Sequence, residues 1–304
     1  MDYNLQKGDI VAFKAENDWL SKAIAWFTQS DVSHAAMVYS EDSIVEMGAH
    51  GIGVHKVDIS DGDSVYVMRL KSDPDAAPLI RSADAYLNAE VRYDFPALLI
   101  LAGLLIYKRF VPTPRLLKIV NLILSSACST LDKMLNNLIY HDSESAMICS
   151  QLVYQIYYDC GGEYRIHIEN GAVFNSQISE STADSIRLAD LIGTRKYVQP
   201  DILMSSPPED IVIDDALMKE FYEILCASEQ RVSSNSANID MPLPEMEKTL
   251  ELSARFLELL ERFLEAAGYE MPLESLFVTP GDLVYHATNL KNEGTLNLHR
   301  YGHK

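Results

Sequence analysis

A thiol is the side chain most easily turned into a nucleophile, and this 304-residue chain has four, Cys128, Cys149, Cys160 and Cys226. A free thiol ionises at about pH 8.5, and a helix N-terminus or a neighbouring imidazolium brings the thiolate into the working range. Cys149 meets the first condition. It follows the polar stretch His141-Asp142-Ser143-Glu144-Ser145 and opens a segment ending at Cys160, in which Leu152, Val153, Ile156 and Cys160 fall on one helical face. Gly161-Gly162 then supplies helix-ending chemistry. The first N–H groups of such a helix have no intrahelical partner, so those around Cys149 and Ser150 are placed to stabilise a thiolate or an oxyanion. Cys128, Cys160 and Cys226 lie within or at the end of helical patterns and read as buried, inert thiols. No Cys-x-x-Cys occurs, which disfavours a thiolate zinc site, and thiol chemistry of this kind calls for no metal or cofactor.

A nucleophilic cysteine needs a base on a rigid element. Among eight histidines His34 stands out because it opens the strand-like run Ser33-His34-Ala35-Ala36-Met37-Val38-Tyr39, where Ala35 and Ala36 leave room for a substrate. Glu46 lies twelve residues on. With a loop at Ser40-Glu41-Asp42, Tyr39 faces Ser43 and Ala36 faces Glu46, so Glu46 lies diagonal to His34, about 7–8 Å away along the backbone. A slip of one residue would turn Glu46 to the other face. A strand histidine also has a structural reading, and an edge-strand glutamate a solvated one. The remaining histidines, His50, His55, His141, His167, His286, His299 and His303, have no such neighbours in sequence and read as loop or surface residues.

These residues belong to a wider pattern over roughly residues 5–208. It comprises Lys7-Gly8-Asp9-Ile10-Val11, the Ser33-His34 strand, Val45-Glu46, Arg92-Tyr93-Asp94, Ile148-Cys149-Ser150-Gln151-Leu152-Val153, and Gln199-Pro200-Asp201-Ile202-Leu203 followed by Ser-Pro. In that order the pieces resemble the circularly permuted papain-like amidases, permuted relatives of the NlpC-type peptidoglycan hydrolases. Ordinary papain-like enzymes place the cysteine helix before the histidine strand, and the order His, Glu, Cys is what permutation implies. The resemblance implies an α+β fold with an antiparallel sheet packed on helices, Cys149 as nucleophile, His34 as base and Glu46 as the residue that orients the imidazole. It also implies that Tyr93 lies near the nucleophile. The activity it implies is hydrolysis of a peptide or amino-acyl amide through a thioester. The long apolar stretch between Tyr93 and Cys149 keeps a second reading open, a thioesterase or acyltransferase acting on lipid acyl groups, as in lecithin:retinol acyltransferase-like relatives. A third is a non-catalytic binding protein of the same fold.

The elements that must position these groups are legible in outline. Asp9–Phe13, His34–Tyr39, Ile44–Met47, Gly53–Val57 and Val65–Leu70 read as short strands, with a helix over Trp19–Phe27. Helices are expected at Pro78–Ala89, Pro96–Phe110, Arg115–Leu138, Cys149–Cys160, Asp214–Ser228 and Glu245–Ala267. Thr279-Pro280-Gly281-Asp282-Leu283-Val284-Tyr285 reads as a turn entering a strand that returns to the first domain. The texture changes at Ser205-Ser206-Pro207-Pro208. The expected division is therefore a catalytic domain over 1–208, carrying a helical insertion at 94–145, and an acidic, mainly helical extension over 209–304.

Composition bounds the partners. With 48% apolar and 23% charged residues, the chain is of the globular class. Its net charge of −19 disfavours nucleic acid and anionic membrane surfaces, which need clustered Lys and Arg. Eighteen acidic and eight basic side chains lie beyond residue 208, so a protein partner for that acidic extension is one expectation. The longest apolar run, Ala97–Ile106, is about half of the roughly 20 residues that a spanning helix needs, so membrane insertion is not expected. The opening Met1-Asp2-Tyr3-Asn4 carries no basic region followed by an apolar stretch, which points to a reducing, cytoplasmic location.

Overall fold

A computed structural model describes residues 5–16, 19–28, 30–48, 51–89, 92–93, 114–140, 146–172, 243–267, 275 and 277–301. Along them run β1 (Ile10–Lys14), α1 (Trp19–Thr28), β2 (Val32–Ser40), β3 (Ser43–Gly48), β4 (Gly51–Leu70), α2 (Ala77–Asn88) and β5 (Arg92–Tyr93). They continue with α3 (Pro114–Tyr140), β6 (Ala146–Met147), α4 (Cys149–Cys160), α5 (Leu243–Ala267), α6 (Pro280–Tyr285) and β7 (Leu290–Arg300). The architecture is α+β, an antiparallel sheet with helices packed on it. The helices expected at Pro96–Phe110 and Asp214–Ser228, and the Gln199–Leu203 motif, lie outside the described residues. No helix among the described residues is long and apolar enough to cross a membrane.

Two compact units form, one from residues 1–97, 144–185 and 272–304, the other from 98–143 and 186–271. This differs from a single boundary near Pro208. Residues 272–304 belong to the first unit, because Leu290, Leu296 and Leu298 of β7 are buried with its sheet. The closing segment does return, but in another form from the one expected. Pro280–Tyr285 is a helix, not a strand, since Thr279 and Asp282 cap one another at its start; the returning strand begins at Leu290.

In the first unit β1 pairs with both β2 and β4, and β2–β3 and β3–β4 complete a closed ring of pairings. Strand alternation turns Val11, Phe13, Ala36, Val38, Ile44, Val57, Val65, Val67, Leu296 and Leu298 into one apolar cluster. Met37, Val45, Met47 and Met68, on the opposite face, are also buried, and α4 packs on β2 and β3. The two strands expected at Gly53–Val57 and Val65–Leu70 are one 20-residue strand, β4. Asp58-Ile59-Ser60-Asp61-Gly62 has the composition of a turn, yet β7 spans it, with Leu298 opposite both Ile59 and Asp63. The intervening residues form a bulge. Gly62 is required there: a Cβ would lie 2.4 Å from the Leu298 carbonyl oxygen.

The second unit, among its described residues, is the helix pair α3 and α5 with apolar stripes in contact. Val120, Ile123, Leu124, Ala127 and Leu131 of α3 and Leu252, Phe256, Leu260 and Phe263 of α5 are buried. Thr249 donates to Asn121 at 2.7 Å, and Arg255 pairs with Asp132 at 2.9 Å.

Candidate active site

The β2–β3 hairpin delivers the base and its carboxylate. Ala36 faces Glu46, as the alternation requires, while the tip differs from the simple register: Ser40 faces Ser43 and Tyr39 is bulged out, leaving a two-residue turn at Glu41-Asp42. Because the bulge lies at the tip, the site end keeps its phase. His34 and Glu46 share a face, and His34 Nε2 lies 2.6 Å from Glu46 Oε2. Glu46 is fully buried and the His34 side chain is 20% exposed. With Nε2 engaged by the carboxylate, Nδ1 is the ring nitrogen left to face a thiol.

The thiol comes from α4, which begins at Cys149 with no acidic residue in its first turn to oppose negative charge. Ile148 is extended and has no side-chain acceptor, so the start is held from the other side: Gln151 Oε1 accepts the Ile148 N–H at 3.3 Å. Ser150 Oγ donates to the Val278 carbonyl at 2.7 Å, and the Tyr157 hydroxyl donates to the Gly8 carbonyl. The helix end expected at Gly161-Gly162 is present, both residues having positive φ.

Cys149 and His34 lie close enough that each shifts the ionisation of the other. Burial raises the Cys149 pKa, but the positive His34, its hydrogen bond, and the N–H groups of Ala35 and Ser150 outweigh it and lower the thiol below its usual value. Burial lowers the His34 pKa, and Cys149 and then Glu46 overcome that, taking it up to about 10. The Ala35 N–H is available because the β2–β3 ladder ends at Ala36↔Glu46, short of an Ala35–Met47 pair. The arrangement thus favours a thiolate–imidazolium pair, backed by a carboxylate.

Each expected site residue has a place. Cys149, His34 and Glu46 come together. Ser150 contributes its N–H to the sulfur, while its hydroxyl is committed to Val278. Tyr93 is in β5, whose parallel pairing sets Tyr93 opposite Met147, two residues before Cys149. The other described cysteines differ from Cys149: burial pushes Cys128 up to about 12, and burial followed by Asp159 raises Cys160. Cys226 lies outside the described residues. The opening Gly8-Asp9 step is structural, since buried Asp9 takes Arg69 Nε and Nη2 at 2.6 and 2.7 Å and the Gln6 N–H at 2.8 Å.

Two residues near Glu46 were missed. His55, within the strand expected at Gly53–Val57, is not a free surface residue but partly buried in β4, with Nε2 3.8 Å from Glu46 Oε1. The signal was the one that found His34. Gly53 faces Glu46, and His55 is two residues on, so Glu46 sits diagonally between two histidines on its two neighbouring strands. Arg300 of β7 places Nη1 3.4 Å from Glu46 Oε2, a contact between residues 254 apart that local spacing cannot reveal. His299, also expected on a loop, is in the same strand, opposite Asp58. Among the described residues no cluster of three or more His, Cys, Asp or Glu side chains is placed to hold a metal ion. Comparison with protein-family models, curated proteins and solved structures returns no match.

Proposed function

We propose that this protein is a cysteine hydrolase of amide bonds, acting on a peptide or amino-acyl amide through Cys149, His34 and Glu46. The observation that carries the reading is the placement of the Cys149 thiol beside His34, whose other side is hydrogen-bonded to buried Glu46. The order His, Glu, Cys along the chain, with the cysteine helix packed on the strands bearing the other two, supports a circularly permuted papain-like fold as the finer assignment.

The thiolate attacks the carbonyl carbon, forming the C–S bond, and the Ala35 and Ser150 N–H groups beside the sulfur are available to the oxyanion. The His34 imidazolium gives its proton to the leaving nitrogen as the C–N bond breaks. A water then loses a proton to His34 and adds to the thioester, and breakage of the C–S bond restores the thiolate. Glu46 holds the ring throughout.

Iodoacetamide labelling at neutral pH tests the nucleophile. Cys149 is expected to react well ahead of Cys128 and Cys160, with that preference lost in His34→Ala. Equal labelling of all cysteines overturns the site. Turnover of peptide amides, lost in Cys149→Ala, tests the substrate class. Turnover confined to long-chain acyl thioesters would replace the amidase reading by the acyl one, and binding without turnover by the non-catalytic one.

A further inference from the structure

Glu46 is a buried carboxylate surrounded by basic side chains. His34 of β2 reaches Oε2 at 2.6 Å, Arg300 of β7 reaches the same oxygen at 3.4 Å, and His55 of β4 lies 3.8 Å from Oε1. Arg300 is only 10% exposed and is itself anchored. Its Nε and Nη2 donate to Asp63 Oδ2 at 3.2 and 2.9 Å, and Nη2 donates to Glu16 Oε1 at 3.1 Å. Its guanidinium carbon stands 4.3 Å over the Phe13 ring, whose centroid is 5.4 Å from that of His34. One guanidinium therefore braces the carboxylate directly and the imidazole through Phe13. A planar, delocalised fork suits this role, because it can donate to three carboxylates while stacking on an aromatic face.

We infer that Arg300 is a positioning residue of this site, locking the Glu46 carboxylate in the orientation that accepts the His34 Nε2–H bond. The inference rests on the reading of Cys149, His34 and Glu46 as nucleophile, base and orienting carboxylate. The titratable and charged groups facing this point are His34 on β2, Glu46 on β3, His55 and Asp63 on β4, Glu16 after β1, Cys149 on α4 and Arg300 itself. Loss of its bond frees Glu46 to rotate, and loss of its charge makes a thiolate at Cys149 harder to form. Both effects move the acid limb of Cys149 reactivity to higher pH.

The test is the rate of Cys149 alkylation by iodoacetamide in the full chain, from about pH 5 to about pH 9, a readout that needs no substrate. In Arg300→Met the acid limb is expected about one pH unit higher, which is roughly tenfold slower labelling at the acid end. Arg300→Lys recovers part of this. Adding Arg300→Met to Glu46→Gln produces no further shift, since the group being positioned is gone. A merely structural Arg300 would lower the thermal midpoint and leave the limb of the folded protein unmoved, which overturns the inference. Should Arg300→Met fail to fold, Asp63→Asn, which releases the guanidinium from its anchor, decides it: a limb displaced upward supports the role and an unmoved limb overturns it. If Cys149 of the unsubstituted protein labels no faster than Cys160 at acid pH, the reading of the triad itself fails, an outcome separate from a normal triad indifferent to Arg300.

Discussion

The Cys149–His34 pair sets a pH dependence whose two limbs have different owners. As pH falls through the lowered Cys149 pKa the thiolate is protonated, and as pH rises through about 10 His34 loses the proton that the proposed amide cleavage would pass to its leaving group. Amide hydrolysis should therefore be bell-shaped with an upper limb at about pH 10, whereas alkylation, which needs no proton donor, should show the acid limb alone. Glu46→Gln removes a carboxylate charge that raises His34 and, through it, lowers Cys149. The bell should narrow from both sides, with about a tenfold loss at the acid end for each unit that Cys149 rises. An upper limb unchanged in Glu46→Gln would contradict the role given to that residue. At this scale the meeting of Cys149, His34 and Glu46 was legible because each has a local signature: Cys149 a helix start, His34 and Glu46 a hairpin spacing. Arg300 has none, because its partners Glu16, Glu46 and Asp63 lie far from it along the chain.

Elements whose periodicity is strong were readable nearly to their ends. The expected Cys149–Cys160 helix matches α4, and the Glu245–Ala267 expectation differs from α5 only at its start, Leu243. The misreading of β4 has a single cause, a distant strand overriding local composition. Asp58-Ile59-Ser60-Asp61-Gly62 has turn chemistry, but pairing with β7 on both sides makes it a bulge inside β4. Gly62 is the residue on which that bulge depends. In Gly62→Ala the new Cβ meets the Leu298 carbonyl at 2.4 Å and the next backbone nitrogen at 2.7 Å, contacts that only a backbone shift can relieve. The expected cost is about 1–3 kcal/mol in urea unfolding. Because Arg300 lies two residues beyond Leu298, slower acid-end labelling of Cys149 should accompany the loss. A variant as stable as the parent would show that β7 does not hold this register.

For the whole molecule, the acidic extension read from composition is divided between two structures. Glu247, Glu251, Glu258 and Glu261 are on α5 in the second unit, while Asp282 and Glu293 belong to the first, where Asp282 accepts from the Ala172 and Thr279 N–H groups and Glu293 pairs with Lys291 at 2.8 Å. Charge and the Pro207-Pro208 step could not reveal this division, although the turn at Thr279–Tyr285 pointed to a segment that returns to the first unit. Phe277, Val278, Leu283, Leu290, Leu296 and Leu298 are all buried in the first unit. Each such side chain contributes about 1.5–3 kcal/mol by burial, so together they match the roughly 5–15 kcal/mol net stability of an entire domain. The return also carries the Val278 carbonyl that holds Ser150 and the guanidinium beside Glu46. A chain ending at residue 208, the boundary that composition suggests, should fail to fold, leaving β4 with an unpaired edge along the face β7 occupies. Expression of residues 1–208 beside the full chain tests this through solubility, far-ultraviolet circular dichroism and selective Cys149 labelling. The expectation is aggregation and no selectivity for Cys149. A soluble, cooperatively unfolding 1–208 fragment that labels Cys149 like the full chain would mean that β7 decorates the sheet instead of completing it, and that the site stands without Arg300.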